Sequence, residues 1–93
     1  MLFMVQMKVN PPSHLTKEEF DDVKVAEKNR ALDIQRKGKW PHLWRVTGKY
    51  SNVSIFDVES NQELHELLSS LPLFPYMDIE VTPLNEHPSA LKD

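Results

Sequence analysis

The stretch LPLFPYMDIEVTPL, residues 71–84, decides how the second half of this chain folds. Proline fixes φ and lacks a backbone donor, so Pro72 and Pro75 should end any helix before them. A strand is then expected to begin near Tyr76 and to end at Pro83. The apolar corner LPLFPY joins the preceding helix to this strand and restricts the backbone strongly. Such a restricted corner is expected to position neighbouring parts of the structure.

A short helix is predicted immediately before this corner. Ser60 and Glu63 have the spacing of a capping box, in which the side chain of each residue bonds to the backbone of the other. An apolar stripe follows at helical spacing and consists of Leu64, Leu67, Leu68 and Leu71. The helix should therefore open after Ser60 and end at the prolines.

Two strands and a longer helix precede it. Residues 39–58, KWPHLWRVTGKYSNVSIFDV, read as two strands that turn near residues 47–49, and Pro41 favours an edge or a bulge at the start of the first. Thr16 and Glu19 form a second capping box, and the helix that they open should run to about Lys37. Gly38 then follows as the left-handed C-terminal residue.

The first strand, within MLFMVQMKVN, completes a βαββαβ order. By the usual connection rules this order gives an α+β fold of the ferredoxin-like type, a four-stranded antiparallel sheet with both helices on one face. We expect residues 1–93 to form a single domain.

Three strands offer apolar residues to both faces of that sheet. The predicted opposing sets are Phe3, Val5 and Met7 against Leu2 and Met4; Trp40, Trp44 and Val46 against Leu43; and Met77, Ile79 and Val81 against Tyr76. Two helices can cover only one face, and a large apolar patch is seldom left in water. A second subunit's sheet is the expected cover, which predicts sheet-to-sheet dimers in a larger homo-oligomer.

Composition excludes several classes of function. The formal charge of −3 comes from mixed acids and bases without a basic block, which argues against nucleic-acid binding. No cysteine is present, which excludes disulfides and thiolate chemistry and is compatible with a cytoplasmic location. The apolar start carries Lys8 and resembles neither a signal peptide nor a membrane span.

Metal and phosphate motifs are also missing. There is no phosphate-binding glycine loop and no serine-nucleophile elbow. The four histidines fall on different elements without ligand-like spacing, and surface or structural roles explain them better. We therefore assign no metal.

The apolar seam of the first helix contains a carboxylate. Phe20 and Val23 place Glu27 on the same stripe as Ala31 and Ile34. Burial raises the pKa of a carboxyl toward the range useful for a general base, so Glu27 is a catalytic candidate. The alternative is that Glu27 lies at the edge of the seam with an ordinary polar partner, and the pattern alone slightly favours that interpretation.

The third strand carries a polar half on one face, formed by Tyr50 and Asn52. If that face meets the helices, the two residues form a hydrogen-bonding wall opposite the seam carboxylate; if it meets solvent, they are ordinary surface residues. Trp44, with Trp40, is typical of a core or interface and is less often a pocket wall. Lys28 and Arg45 could each bind an anionic group or simply be solvated charges.

Several long stretches resemble muconolactone Δ-isomerases. They are MLFMVQMKVN, the block GKWPHLWRVTGKYSNVSIFDVESNQELHELLSSLPLFPYMDIEVTPL and HPS, which together span nearly the whole chain. The most specific parts are HLWR, SIFDV and LPLFPYMDIEV, and the first helix keeps the pair Glu27 and Lys28.

The resemblance implies a cofactor-free enzyme of aromatic catabolism in the β-ketoadipate pathway, assembled as a decamer. Such an enzyme converts muconolactone to 3-oxoadipate enol-lactone by moving the ring double bond. It implies Glu27 as the proton carrier, with Tyr50 and Asn52 as donors to the lactone oxygens. Lys28 or Arg45 would hold the substrate carboxylate, and Trp44 would contact the substrate.

Two other classes of function fit the same scaffold. A chloromuconolactone dehalogenase would use the same base on a substrate with a leaving group, and chloride release would reveal it. A cofactor-free oxygenase or a non-catalytic ligand-binding module would need neither Glu27 nor lactone turnover.

Overall fold

The computed structural model describes residues 1–92 and contains one four-stranded antiparallel sheet and two α-helices. In chain order the elements are β1 (Leu2–Val9), α1 (Lys17–Arg36), β2 (His42–Arg45), β3 (Ser51–Asp57), α2 (Asn61–Ser69), a 3₁₀ turn (Phe74–Tyr76) and β4 (Met77–Leu84). The spatial order of the strands is β2-β3-β1-β4, so the two edge strands are β2 and β4. The predicted ferredoxin-like βαββαβ arrangement is confirmed.

Local capping signals determine where α1 begins and ends. The Thr16 hydroxyl accepts a hydrogen bond from the Glu19 amide at 3.1 Å, and the Thr16 amide donates to Glu19 Oε1 at 2.8 Å. Two orphan donors of the first turn are thereby satisfied, and the predicted capping box is confirmed. Gly38 follows the helix with φ of +76°, a conformation that glycine adopts without steric cost.

The cap of α2 is only half of the predicted box. The Ser60 hydroxyl accepts from the Glu63 amide at 3.1 Å, as expected. Glu63 Oε1, however, accepts from the amide of Glu59 at 2.8 Å rather than from that of Ser60. The same oxygen lies 3.4 Å from Lys39 Nζ, so the carboxylate is placed between the chain entering the helix and a cation.

The proline corner separates α2 from β4 as predicted, with one error at the far end. α2 ends at Ser69, and β4 begins at Met77, one residue later than expected. Pro83 does not end β4: it lies inside the strand, opposite Phe3, and the strand continues to Leu84. An edge strand tolerates proline because it has a neighbour on one side only and does not need every backbone donor.

The core lies between the sheet and both helices. Phe3, Val5 and Met7 of β1 are buried on this helix-covered face. They form one cluster with residues of both helices, the other strands and the loops, namely Ala31, Ile34, Trp40, Phe56, Val58, Leu64, Leu68 and Leu71. Both helices therefore cover the same face, as the connection rules require.

The opposite, outer face of the sheet is apolar on β1 and β2, as predicted, and on β3, but mostly polar on β4. By register its apolar residues are Leu2, Met4, Trp44, Val53, Ile55 and Leu84. Its exposed apolar residues include Leu2, Trp44 and Leu84. The β1–β4 register places Met77, Ile79 and Val81 opposite Val9, Met7 and Val5, on the helix-covered face. The outer face of β4 is consequently formed by Asp78, Glu80, Thr82 and Leu84, and Tyr76 belongs to the turn before the strand.

The two tryptophans do not alternate along one strand. β2 begins at His42, after Pro41, so Trp40 lies outside the strand. Trp40 is buried and stacks on Phe56 with a centroid distance of 4.6 Å. Trp44 pairs with Val53 and lies on the outer face. The prediction of a shared face was wrong because Pro41 interrupts the strand alternation on which it relied.

Candidate active site

A cavity of about 430 Å³ opens at one end of the helix-covered face. Residues of α1, of all four strands, of the loops beside β2 and of the proline corner line it, and α2 contributes none. The lining residues are Val9, Lys24, Glu27, Lys28, Ala31, Trp40, Leu43, Arg45, Tyr50, Ser51, Asn52, Leu73 and Met77. This combination of apolar walls with a few convergent polar groups is typical of a small-molecule site.

Glu27 enters the cavity from α1 and is half-buried there. The backbone amide of Leu73 donates a hydrogen bond to Glu27 Oε1 at 2.9 Å. Burial raises the pKa of Glu27 above its ordinary value, and the Leu73 hydrogen bond partly offsets this effect. The carboxylate therefore faces the cavity as a base of increased strength.

The polar half of β3 points toward the helices. Asn52 is opposite Met7, and Ser54 is opposite Val5, both residues of the buried face of β1. The Ser54 hydroxyl is fully buried and donates to Asn52 Oδ1 at 2.8 Å. This bond occupies the carbonyl side of the Asn52 amide and leaves its NH₂ group as a donor toward the cavity.

Three cations and one carboxylate line the same cavity. Lys24 Nζ lies 3.1 Å from Asp21, so its charge is partly compensated. Arg45 stacks over the ring of Tyr50, with its guanidinium carbon 5.4 Å from the ring centroid. Lys28 has no ion pair within the described residues 1–92. With Lys28 and Arg45 opposing the single charge of Glu27, the cavity favours an anionic ligand.

The structure brings together five of the six predicted site residues and separates one. Glu27, Lys28, Arg45, Tyr50 and Asn52 all line the cavity. Trp44 does not: it is on the outer face, 55 % exposed, and stacked on His42 at 5.1 Å. Alternation along β2 sends Leu43 and Arg45 to the cavity and Trp44 away from it, so within one chain Trp44 is not a cavity residue.

Sequence reasoning missed several walls of the cavity. Trp40 lines it in place of Trp44, and its indole nitrogen is buried with no hydrogen-bond partner among residues 1–92. Lys24 lies one helical turn before Glu27 and Lys28, which is a signal that helical spacing provides. Leu73 contributes a backbone amide, which its residue type does not reveal.

Two further site classes find no support in the described part of the chain. Within residues 1–92, no three His, Cys, Asp or Glu side chains gather closely enough to hold a metal ion. No helix in this range has the length and hydropathy needed to cross a membrane.

Comparison with known proteins identifies the family. Residues 1–90 match a family model described as Muconolactone delta-isomerase. This chain belongs to that family. Muconolactone Delta-isomerase of Acinetobacter baylyi is 54 % identical over 93 residues, which cover 100 % of this chain and 97 % of the relative. Muconolactone Delta-isomerase 1 of Acinetobacter lwoffii is 56 % identical over the same shares of both chains.

Similarity to a muconolactone isomerase extends to three dimensions. A crystal structure of muconolactone isomerase superimposes with a TM-score of 0.93 at 48 % identity, covering 100 % of this chain and 97 % of the other. The family match includes the whole cavity, because its lining residues run from Val9 to Met77 and lie within residues 1–90.

Proposed function

We propose that this protein is an isomerase that converts muconolactone to 3-oxoadipate enol-lactone without a cofactor. The observation that carries the proposal is the half-buried Glu27, which faces hydrogen-bond donors and cations in one cavity. Membership of the muconolactone Δ-isomerase family supplies the substrate class.

In the first step, Glu27 removes a proton from the ring carbon that carries the carboxymethyl group and the ring oxygen, a position conjugated with the carbonyl through the ring double bond. The electrons of the broken C–H bond enter the conjugated system and give a dienolate-like anion, while Glu27 becomes a carboxylic acid. In the second step, the acid returns the proton to the ring carbon next to the carbonyl, two positions away. The double bond has then moved, and Glu27 is again a carboxylate.

Negative charge develops on the lactone carbonyl oxygen between these steps. The Tyr50 hydroxyl and the Asn52 NH₂ group are the proposed donors to the lactone oxygens, because both residues line the cavity with Glu27. Ser54 holds the Asn52 amide in the donating orientation through its bond to Oδ1. Preoriented donors stabilise such an oxyanion more effectively than reorienting water does.

The substrate's own carboxylate needs a cationic partner. Lys28 and Arg45 are proposed for this role because each lines the cavity and neither is neutralised by an acidic neighbour within residues 1–92. Lys24 is a weaker candidate since Asp21 already pairs with it. Fixing the carboxylate orients the ring relative to Glu27 and makes the proton transfer effectively unimolecular.

A single base should serve both steps. Glu27 is the one carboxylate among the residues that line the cavity, so removal and return of the proton are confined to one face of the ring. Single-turnover reaction of substrate deuterated at the abstracted position, followed by NMR, should place some label on that face of the product. Label on the opposite face would require a second acid.

We further propose that residues 1–93 act as one domain and that sheet-to-sheet dimers build a homodecamer. Support for one domain comes from the single sheet and the single core cluster within residues 1–92. Support for the dimer comes from the exposed Leu2, Trp44 and Leu84 of the outer face. Light scattering at low micromolar concentration should give an oligomer, and a mass of 10.8 kDa would contradict assembly. Cytoplasmic location stays a prediction from the sequence.

The decisive experiment is an ultraviolet assay of the purified protein with muconolactone, without added metal or nucleotide. Formation of the enol-lactone at an enzymatic rate supports the proposal. The same preparation is then given chloromuconolactone and assayed for chloride. Chloride release without turnover of the parent lactone would assign the chain to dehalogenation instead.

A further inference from the structure

The carboxylate of Glu27 depends on a partner that is far away in the chain. Leu73 lies 46 residues later, and its amide donates to Oε1 at 2.9 Å. Within residues 1–92 no other backbone or side-chain group donates to this carboxylate, and no cation forms an ion pair with it. One backbone N–H group is therefore the hydrogen-bond donor that holds the Glu27 carboxylate in the cavity.

The proline corner holds that N–H group in place. Leu73 follows Pro72, and the 3₁₀ turn after it contains Pro75. The Phe74 amide donates to the Leu71 carbonyl at 2.9 Å, and the Tyr76 amide donates to the Leu73 carbonyl at 2.8 Å. The side chains of Leu71 and Leu73 are both buried, at 2 % and 5 % exposure. These backbone hydrogen bonds and buried side chains restrict the conformation of the chain at Leu73.

We propose that the backbone amide of Leu73 is a positioning group for the catalytic carboxylate, and that the proline corner serves to hold this amide against Glu27. The inference rests on the proposed function, in which Glu27 carries the proton. It concerns a group that acts through Glu27 and does not itself touch the reacting atoms.

A neutral amide suits this task better than a cation does. By occupying Oε1 it leaves Oε2 to receive the substrate proton, which fixes the oxygen that reacts. A lysine or arginine in the same place would stabilise the carboxylate more strongly and weaken it as a base. Burial raises the pKa of Glu27, and the hydrogen bond from the Leu73 amide lowers it by a smaller amount.

Replacing the amide by an ester at Leu73 tests this role without changing the side chain. The chain of 93 residues is short enough for chemical synthesis with the hydroxy-acid analogue of leucine. The matched control is the same analogue at Leu71, whose amide donates to the Leu68 carbonyl at 3.1 Å and not to Glu27. Both esters remove one hydrogen bond in the same corner.

The Leu73 ester should lower kcat by about tenfold or more, the effect of losing a hydrogen bond to a charged group. It should also shift the acidic limb of the kcat/KM profile to higher pH, because an unsupported carboxylate binds a proton more tightly. The Leu71 ester should leave that limb unchanged. Equal kcat and equal limbs in the Leu73 ester and the wild-type chain would overturn the proposal.

A titration by NMR separates this inference from the proposed function. With ¹³C in the side-chain carboxyl of Glu27, the pH at the midpoint of its titration should be higher in the Leu73 ester than in the wild-type chain. In the Leu71 ester this midpoint should be unchanged. This result supports the positioning role even if a different lactone proves to be the substrate. Equal midpoints in the two esters overturn it whatever the enzyme turns over.

Pro75→Ala provides a second variant that ordinary expression can supply. Pro75 is exposed, so its loss should loosen the corner without opening the core. Hydrogen exchange at the Leu73 amide should accelerate, and the acidic limb should move in the same direction as in the ester, by a smaller amount. Faster exchange with an unmoved limb would count against the proposal.

Discussion

The helix-covered face of the sheet has two ends that share strands but differ in what fills them. At the filled end, defined by Phe3, Phe56, Leu64 and Leu68, apolar side chains from the sheet and α2 form the core. At the open end, defined by the thirteen cavity-lining residues, α2 contributes nothing. α1 has 20 residues and α2 only 9. A short second helix thus leaves part of the sheet available for a ligand.

The face of β3 that meets the helices, together with Tyr50 immediately before the strand, contains the whole contrast. Phe56 is fully buried in the filled end, Ser54 is buried beside it, and Asn52 and Tyr50 are progressively more exposed at the open end. Alternate positions of a strand face the same side, so changing residue type along one face is enough to turn core into site. Variants at the two ends should accordingly affect different properties.

Glu27→Gln at the open end should have the largest effect. The amide keeps the size of the side chain and can still accept from Leu73, but it cannot take a proton, so kcat should fall by about two to four orders of magnitude. Steady-state kinetics and circular dichroism measure turnover and fold. Glu18→Gln, an exposed change on the same helix, is the control. Unaltered kcat in Glu27→Gln would reject Glu27 as the base.

Phe56→Ala at the filled end should instead reduce stability. Removing a fully buried aromatic side chain that stacks on Trp40 leaves a void, at a cost of about 3–5 kcal/mol in the free energy of unfolding. Urea denaturation followed by tryptophan fluorescence measures this loss. If the free energy of unfolding of the variant stayed within about 1 kcal/mol of the wild-type value, roughly the effect of a surface substitution, the filled end would not be a packed core.

Lys28→Ala and Arg45→Ala should weaken substrate binding more than chemistry. Losing one charged hydrogen bond to the substrate carboxylate should raise KM about tenfold or more, with a smaller effect on kcat. Comparing the two variants shows which cation is the principal partner. Lys17→Ala, an exposed change at the start of α1, is the control for lost positive charge. Unchanged KM in both variants would mean that the carboxylate binds elsewhere.

The smallest effect is a pH-dependent gain in stability from Glu27→Gln. Burial raises the pKa of Glu27 in the folded chain, so ionising it costs more in the folded state than in the unfolded state. Below the unfolded pKa the carboxyl is neutral in both states and the variant gains nothing. Above the folded pKa the variant should be the more stable protein. Urea denaturation at about pH 4 and about pH 7 should show the gain only at the higher pH.

Much of the fold follows from local signals that do not depend on the rest of the chain. The Thr16 and Glu19 cap, Gly38 and the proline corner all act over a few residues, and each occurs where it was predicted. Predictions failed where strand alternation was extended through a proline, as for Trp40 and Trp44. They also failed at Pro83, where edge position decides whether a missing donor matters.

The site was predictable to the extent that it depends on side-chain type. Glu27 stood out because a carboxylate interrupted an apolar seam, and helical spacing could also have indicated Lys24. The face on which Asn52 lies needed the strand register, which sequence alone did not determine, and Tyr50 lies just before the strand rather than in it. The Leu73 amide was invisible because every residue except proline carries one, and only tertiary structure brings it to Glu27.

The bond between Glu27 and Leu73 also makes activity a sensitive reporter of cooperative folding. It joins the first helix to the segment before the last strand, so no half of the chain contains both partners. A break in the exposed turn at residues 47–49 would separate base from donor, and turnover would return only if the two fragments reassociated. Loss of activity in denaturant should therefore track global unfolding rather than fraying of either end.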